Sequence, residues 1–330
     1  MIGTAKTQLS LLDGAFNRRS RKPSRTDNLL KRIDEFVDWS KLVDVCTVVF
    51  KDSKRGRPTT PIIFSIKSLF LQFLYGLSDP ALEDALTDRH SFQKFLGISF
   101  DEEVPDFTTI WRFRERLVKN QLYDRLFEII VADLDARGII LRRGTLIDAT
   151  IVQGARKPHK AEADDEEKTL RSKAQQDKDA AFTKKGKKTY HGYKGHIGVD
   201  EGSGVIRKKS FTPANVHDSK ETDALISGDE RSVFGDKAYP SGERKRAMRQ
   251  KGVWCGILDK AYRNRPLTKK QKKMNKIKSR VRSAVERPFA HFKNLYGYRR
   301  SRYVNTARND LHFTFLCIIH NVRRGIAPAV

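Results

Sequence analysis

GTLIDATIV, at residues 144–152, is the stretch on which the fold turns. All but one of its residues are apolar, small or β-branched, the composition of a strand inside a sheet. The exception sits in the middle. Asp148 is a carboxylate whose burial is costly unless a cation or hydrogen-bond donors face it.

Outward from that strand the apolar period changes. Downstream, strand-like runs at 193–199 and 205–212 flank a turn, DEGSG at 200–204. A helix is expected over 218–226, a strand over 232–236, a helix over 243–250 and a strand over 253–258. The polar stretch 153–189 reads as a solvated linker or surface helix. This order predicts a mixed α/β sheet flanked by helices, in which Asp148 lies on the first, central strand. Asp236 falls at the end of another, and strand ends are where open sheets place ligands. Its context is VFGDKAY, whose glycine is expected to let a ligand approach the backbone.

Upstream of Gly138 the spacing is helical. Residues 1–57 form a basic arm with one short helix over 28–39 and a hinge at 54–58 that carries Arg55 and Arg57. Residues 58–140 form a helical domain. Its apolar stripe at 61–75 marks a buried helix, Ser78 caps the next run, and Gly97 ends it. A helix opening at Pro105-Asp106 carries Arg112, Arg114 and Arg116 on an expected polar face. That face suits a helix-turn-helix recognition helix or, equally, an ordinary bundle helix with solvated arginines. A last helix over 121–136 stops at Gly138, and residues 141–330 form the mixed α/β part.

Charge narrows the partners. Lys and Arg total 66 against 40 Asp and Glu, a formal +26, which points to a polyanion, with nucleic acid ahead of a membrane surface. Between residues 260 and 310 stand 17 Lys and Arg against Glu286 and Asp310, so more than half of the excess lies there. No apolar run spans a bilayer, and no signal-peptide core opens the chain. Cys46, Cys255 and Cys317 are too few and too scattered for a disulfide framework or a zinc site, so a cytoplasmic location is expected. No Walker motif is present, which excludes that route to nucleotide hydrolysis.

Glu286 is the most telling acid, a lone carboxylate in SRVRSAVERPFAHFKNLYGYRRSRY. Read as one helix, this segment puts Val281, Val285, Phe289, Phe292 and Tyr296 on one apolar stripe. Arg282 and Lys293 then fall within about 40° of Glu286 on the same face. A plain i, i+4 ion pair accounts for Arg282 but not for the second cation. A metal ligand flanked by phosphate-binding cations, with Arg287 beside them, accounts for both. Pro288 sits awkwardly inside such a helix. His191 and His196 read as structural. His217 is a candidate for a place behind the acids, with Asp218 capping the following helix. Trp39, Trp111 and Trp254 read as core.

These residues resemble bacterial insertion-sequence transposases of the DDE class, most closely the insertion-sequence-five family. The resemblance covers nearly the whole chain. It rests on FLYGLSDPALEDAL, PDFTTIWRFRERL, GTLIDATIV, YKGHIGVD, ANVHD, GDKAYPSGERK and RVRSAVERPFAHFK, the last holding R-x3-E-x6-K as Arg282, Glu286 and Lys293. Some relatives carry a tyrosine three residues before that arginine, where this chain has Ser279. The resemblance implies a ribonuclease-H-like catalytic domain behind an N-terminal helical DNA-binding domain. It implies Asp148, Asp236 and Glu286 as the acidic triad, double-stranded DNA as partner, and at least a homodimer when two ends are brought together. Three clustered carboxylates repel, which calls for divalent cations. Hard oxygen ligands suit two Mg²⁺ or Mn²⁺ ions. The rival readings are a non-catalytic DNA-binding protein on the same scaffold and a nuclease that cuts without joining.

Overall fold

The computed structural model describes residues 24–48, 50, 59–99, 102–156, 176–239 and 242–327. Arg55, Arg57 and most of the polar stretch after residue 156 lie outside them. The chain divides into two compact units, residues 1–133 with 314–330, and residues 134–313.

The first unit is helical, with α1 (Arg25–Phe36), α2 (Trp39–Thr47), α3 (Ile62–Tyr75), α4 (Asp79–Asp88), α5 (His90–Leu96), α6 (Phe107–Lys119) and α7 (Leu122–Ala136), the last reaching the boundary. A capping box starts α1, where Ser24 accepts from the Asp27 N–H and Asp27 accepts from the Ser24 N–H, both at 3.0 Å. Every residue of α3 from Phe64 to Leu74 is buried, so this helix is the core of the unit. Its one cation, Lys67, stays inside because Asp34 lies 2.6 Å from the ammonium and the Phe95 carbonyl accepts from it at 2.7 Å. The segment expected as a single run up to Gly97 is two helices, because Arg89 turns extended between them. Gly97 ends the second with φ +78°, a conformation glycine adopts without strain.

Helix α6 corrects the expected arginine face. Ile110, Phe113, Arg114 and Leu117 are its buried positions, the i, i+3, i+4, i+7 stripe, and Arg114 occupies one of them. Its guanidinium makes a bidentate pair with Asp79 at 2.7 and 2.8 Å and reaches Gln72. Arg114 therefore locks α6 to the start of α4 and is no surface contact. Arg112 and Arg116 are exposed. Of the tryptophans, Trp39 is core, but Trp111 and Trp254 are both 45% exposed.

The second unit is built on one sheet. Its strands are β1 (Thr145–Gln153), β2 (Ala181–Lys185), β3 (Lys188–Asp200), β4 (Ile206–Pro213), β5 (Ser232–Phe234) and β6 (Trp254–Cys255). The order is β2-β3-β1-β5-β6, with β4 also on β3. Strands β1, β2 and β4 all pair antiparallel with β3, and β5 and β6 continue parallel to β1. This is the ribonuclease-H-like sheet, with β1 at its centre. Ile147, Leu225, Val233, Tyr239, Met248 and Ile257 pack as one core cluster. Gly195 is required by close packing, since a Cβ there would stand 2.5 Å from the Phe313 ring.

Several expected elements differ. The helix over 218–226 is two short 3₁₀ turns, Asp218–Lys220 and Asp223–Leu225, and the strand over 253–258 shrinks to β6. Part of the polar stretch forms the β2–β3 hairpin, turned by Gly186 at φ +62°. Helices α8 (Gly242–Gln250), α9 (Lys269–Arg282), α10 (Glu286–Asn294) and α11 (Thr306–Gly325) complete the unit, with α11 counting in the first unit from Thr314 onward. The expected continuous helix through Glu286 is interrupted by a 3₁₀ turn, Ser283–Val285. Pro288 thereby falls in the first turn of α10, where its missing N–H would have had no intrahelical partner. No single helix among the described residues is long and apolar enough to cross a membrane.

Removing one partner of a buried ion pair strands the other charge. Arg114→Ala is therefore expected to destabilise the helical unit by about 3 kcal/mol. Arg114→Met with Asp79→Asn should cost clearly less, and urea unfolding of both variants checks this.

Candidate active site

Strand register brings the first two acids together. Leu146 of β1 pairs in parallel with Phe234 of β5. Asp148 and Asp236 each lie two residues beyond that pair, Asp148 still within β1 and Asp236 past the end of β5, and the charge of Asp236 acts on Asp148. Beyond Phe234 the chain leaves the strand. The Lys237 N–H donates to the Asp236 carboxylate at 2.6 Å, and the Tyr239 N–H donates to the Asp236 carbonyl. A Cβ at Gly235 would stand 3.2 Å from the Tyr239 ring, so the glycine makes room for that ring.

The third acid is joined through Arg282, the last residue of α9. One Arg282 nitrogen lies 3.2 Å from Asp148 Oδ2 and the other 3.2 Å from Glu286 Oε1. The 3₁₀ turn between α9 and α10 is what lets one guanidinium reach both a strand carboxylate and the i+4 acid. Glu286 is the open member, with 63% of its side chain exposed against 21% for Asp148. Arg282 Nε is buried and without a hydrogen-bond partner.

Asp148 is affected by both of the other acids. Burial pushes its carboxyl above the ordinary range, and the charges of Asp236 and Glu286 push the same way. The Ala149 N–H, which donates at 2.9 Å, and the Arg282 guanidinium pull it back. Lys293 is half-buried on α10; burial lowers its pKa, Lys185 and Arg299 lower it further, and Asp148 opposes them. Arg287 is exposed. Among the described residues no three His, Cys, Asp or Glu side chains converge as a metal-coordinating group. Asp148 and Glu286 share a guanidinium instead.

His217 is exposed and caps the 3₁₀ turn, its Nδ1 accepting from the Ser219 N–H at 3.2 Å. Asp218, expected to be the cap, accepts from Lys194 Nζ at 2.9 Å. His196 is structural, as its sequence context suggested. It is fully buried against Thr212, and burial pushes it down to about 4, so it is neutral at physiological pH.

Two residues escaped the sequence reading. Tyr239 is buried with a hydroxyl that has no hydrogen-bond partner, and burial, then the charges of Asp148, Asp218 and Asp236, raise its pKa. Arg244 of α8 donates to the Tyr239 and Ser219 carbonyls and pairs with Asp223, tying the turn after Asp236 to the 3₁₀ segment. Both stand in GDKAYPSGERK, but a motif does not tell which of its members face inward.

Comparison with known proteins adds family information. Residues 140–322 match the family described as "Transposase DDE domain", and residues 17–116 match "Transposase domain (DUF772)". Among solved structures, the chain is similar to a piggyBac transposase seen by cryo-EM in a synaptic complex with hairpin DNA. The TM-score is 0.43 at 12% identity, over 93% of this chain and 75% of that one.

A carboxyl whose pKa is raised by folding holds its proton more tightly in the folded state. Its contribution to stability is lost as pH rises from the unfolded value through the folded one. In metal-free buffer Asp148→Asn is expected to melt close to wild type near about pH 4 and above it near about pH 7. A melting difference that stays constant with pH contradicts this account of Asp148.

Proposed function

Because the chain belongs to the DDE transposase family, we propose that it binds the inverted repeats at the ends of an insertion sequence, cuts there, and joins the freed ends to target DNA. The observation that carries this reading is the meeting of Asp148 and Glu286 on the single guanidinium of Arg282, with Asp236 near enough for its charge to act on Asp148.

The donor set fits a divalent cation. All three groups are hard oxygen donors, and Asp148 already feels the repulsion that a cation would relieve. Asp148, Asp236 and Glu286 would hold two Mg²⁺ or Mn²⁺ ions, which when bound supply Lewis-acid stabilisation of charge on the attacking and leaving oxygens. Arg282 then has a second use. Displaced from the carboxylates, its guanidinium matches the bidentate geometry of a phosphate. Lys293 adds a partly desolvated charge beside it, and Arg287 faces the solvent where a DNA backbone would run. Cleavage is an attack of water on the phosphodiester, with a 3′ hydroxyl as leaving group. Joining is the attack of that hydroxyl on a target phosphate, which forms the new phosphodiester and expels the target strand's own 3′ hydroxyl. Neither step requires a covalent enzyme intermediate.

Recognition of the ends is assigned to the helical unit, where Arg112 and Arg116 lie exposed on α6 and Arg55 and Arg57 belong to the preceding hinge. The dense cations of residues 260–310 supply sequence-tolerant phosphate contacts. Two ends held together call for at least two copies of the chain, and DNA of this kind lies in the bacterial cytoplasm.

Asp148→Asn, Asp236→Asn and Glu286→Gln keep shape while removing one charge each. Each is expected to lower cleavage of an inverted-repeat duplex by more than about a hundredfold while leaving its affinity within about twofold. Cleavage is read on gels and binding by anisotropy. A variant that keeps a tenth of wild-type cleavage leaves the triad. Cleavage without joined products favours a plain nuclease, and binding with no cleavage by wild type favours a non-catalytic DNA-binding protein.

A further inference from the structure

Away from the acids, the second unit gathers positive charge at the tip of the β2–β3 hairpin. Lys184, Lys185, Lys187 and Lys188 surround that tip and are all exposed. No Asp or Glu occurs between Asp179 and Asp200 to balance them. The loop is two residues, Gly186 and Lys187, with positive φ at the first, a turn whose twist matches its strands. The lysines are therefore carried on a defined element.

Their placement works against the hairpin itself. Lys185 and Lys188 form its closing pair and stand directly opposite each other. Like charges so opposed are destabilising. Strand β2 is the edge of the sheet, where lysines discourage pairing with other chains. That role accounts for Lys184 and Lys185. It leaves out Lys188, which lies on the inner strand β3, and Lys187 in the loop. Among the described residues no carboxylate forms an ion pair with any of the four.

The sheet ties this tip to the acidic site. Strand β3 runs from Lys188 through Ile197, which pairs with Asp148. At the end of β1, Gln153 pairs with Gly192 of β3. The Gln153 N–H also donates to the Arg299 carbonyl at 3.4 Å, and its carbonyl accepts from the Ser301 N–H at 2.7 Å. Arg300 is committed to the Gly154 and Ala155 carbonyls, whereas the Arg299 side chain is exposed and donates to Asn294 at 3.2 Å. The charges of Lys185, Arg299 and Asp148 all act on Lys293. Lys293 thus links the acids to the outer cations. Crowding of this kind costs free energy in the unbound protein, and a polyanion lying along it relieves that cost.

Lysine is a point charge on a flexible stem, suited to phosphates and carrying no base readout. Joining needs a second duplex, of any sequence, with one phosphate at Asp148. We propose that the β2–β3 hairpin and Arg299 form the surface that holds this target DNA, gripping its backbone beside the phosphate under attack. The inference rests on the joining reaction proposed above. The inverted-repeat end does not use this surface.

The test uses full-length protein with Mg²⁺ and measures two reactions separately. One is cleavage of an inverted-repeat end, and the other is joining of a precut end, with its 3′ hydroxyl free, to a plasmid. In Lys184→Gln/Lys185→Gln/Lys187→Gln/Lys188→Gln the plasmid concentration for half-maximal joining is expected to rise about tenfold, with a log–log salt slope smaller by about 3. Cleavage of the end should stay within about twofold of wild type, and changing all four lysines to Arg should restore joining. Joining by the Gln variant at the wild-type plasmid requirement overturns the assignment. So does a parallel loss of end cleavage, or a joining defect that saturating plasmid does not relieve. If wild type cleaves but never joins, the joining reading itself fails. The surface is then judged by affinity for plasmid alone, and equal affinities in wild type and the Gln variant overturn it.

Discussion

Negative charge gathered at the end of a parallel strand pair is the constraint that the second unit is arranged to meet. The parallel pairing of β1 with β5 ends two residues before Asp148 and Asp236, and the charge of Asp236 acts on Asp148. What remains adjustable is the cation opposite them. Arg282 takes that place here, and because it also holds Glu286 it draws α10 to the sheet. A 3₁₀ turn separates α9 from α10 and leaves Pro288 in the first turn of α10, which tolerates it.

The supports around the acids are of two kinds. Some are neutral and buried, such as His196 and Tyr239. Others are charged and paired outside the acidic site, such as Arg244 with Asp223 and Lys194 with Asp218. These pairs spend their charge on loop geometry, so the turn after Asp236 is fixed without adding a further cation beside Asp148. Helix α9 works as a strut. Its end holds the guanidinium that the acids share, and Lys278 in its body donates to the Ile257 carbonyl beyond β6.

Much of this was legible in the sequence, and the gaps have physical causes. GTLIDATIV declares a buried strand because apolar and β-branched residues surround one charge, and the acids of the site stand out by their contexts. Arg114 was misread because composition alone cannot separate a solvated arginine from one bonded to Asp79, although its place in the Ile110, Phe113, Leu117 stripe carried the signal. Strand β2 was hidden because AFTKK exposes most of its side chains and is held by backbone pairing to β3. The segment around 218–226 has helical spacing but only two single turns, since Arg244, Lys194 and Ser210 hold it from outside its own sequence. Tertiary partners, not local preference, decided each of these cases.

The central claim is that the three acids form a cation site whose mutual repulsion is relieved when it is filled. Thermal melting in MgCl₂ against NaCl at matched chloride and ionic strength tests it most directly, in wild type and in Asp148→Asn/Asp236→Asn. For a dissociation constant of about 1 mM, about 10 mM Mg²⁺ adds roughly 1.4 kcal/mol to the folded state. That corresponds to a rise of about 3–5 °C in Tm for a unit of this size. Wild type should show this rise, and the double variant should start more stable and gain little. An identical Mg²⁺ response in the two proteins would contradict the account.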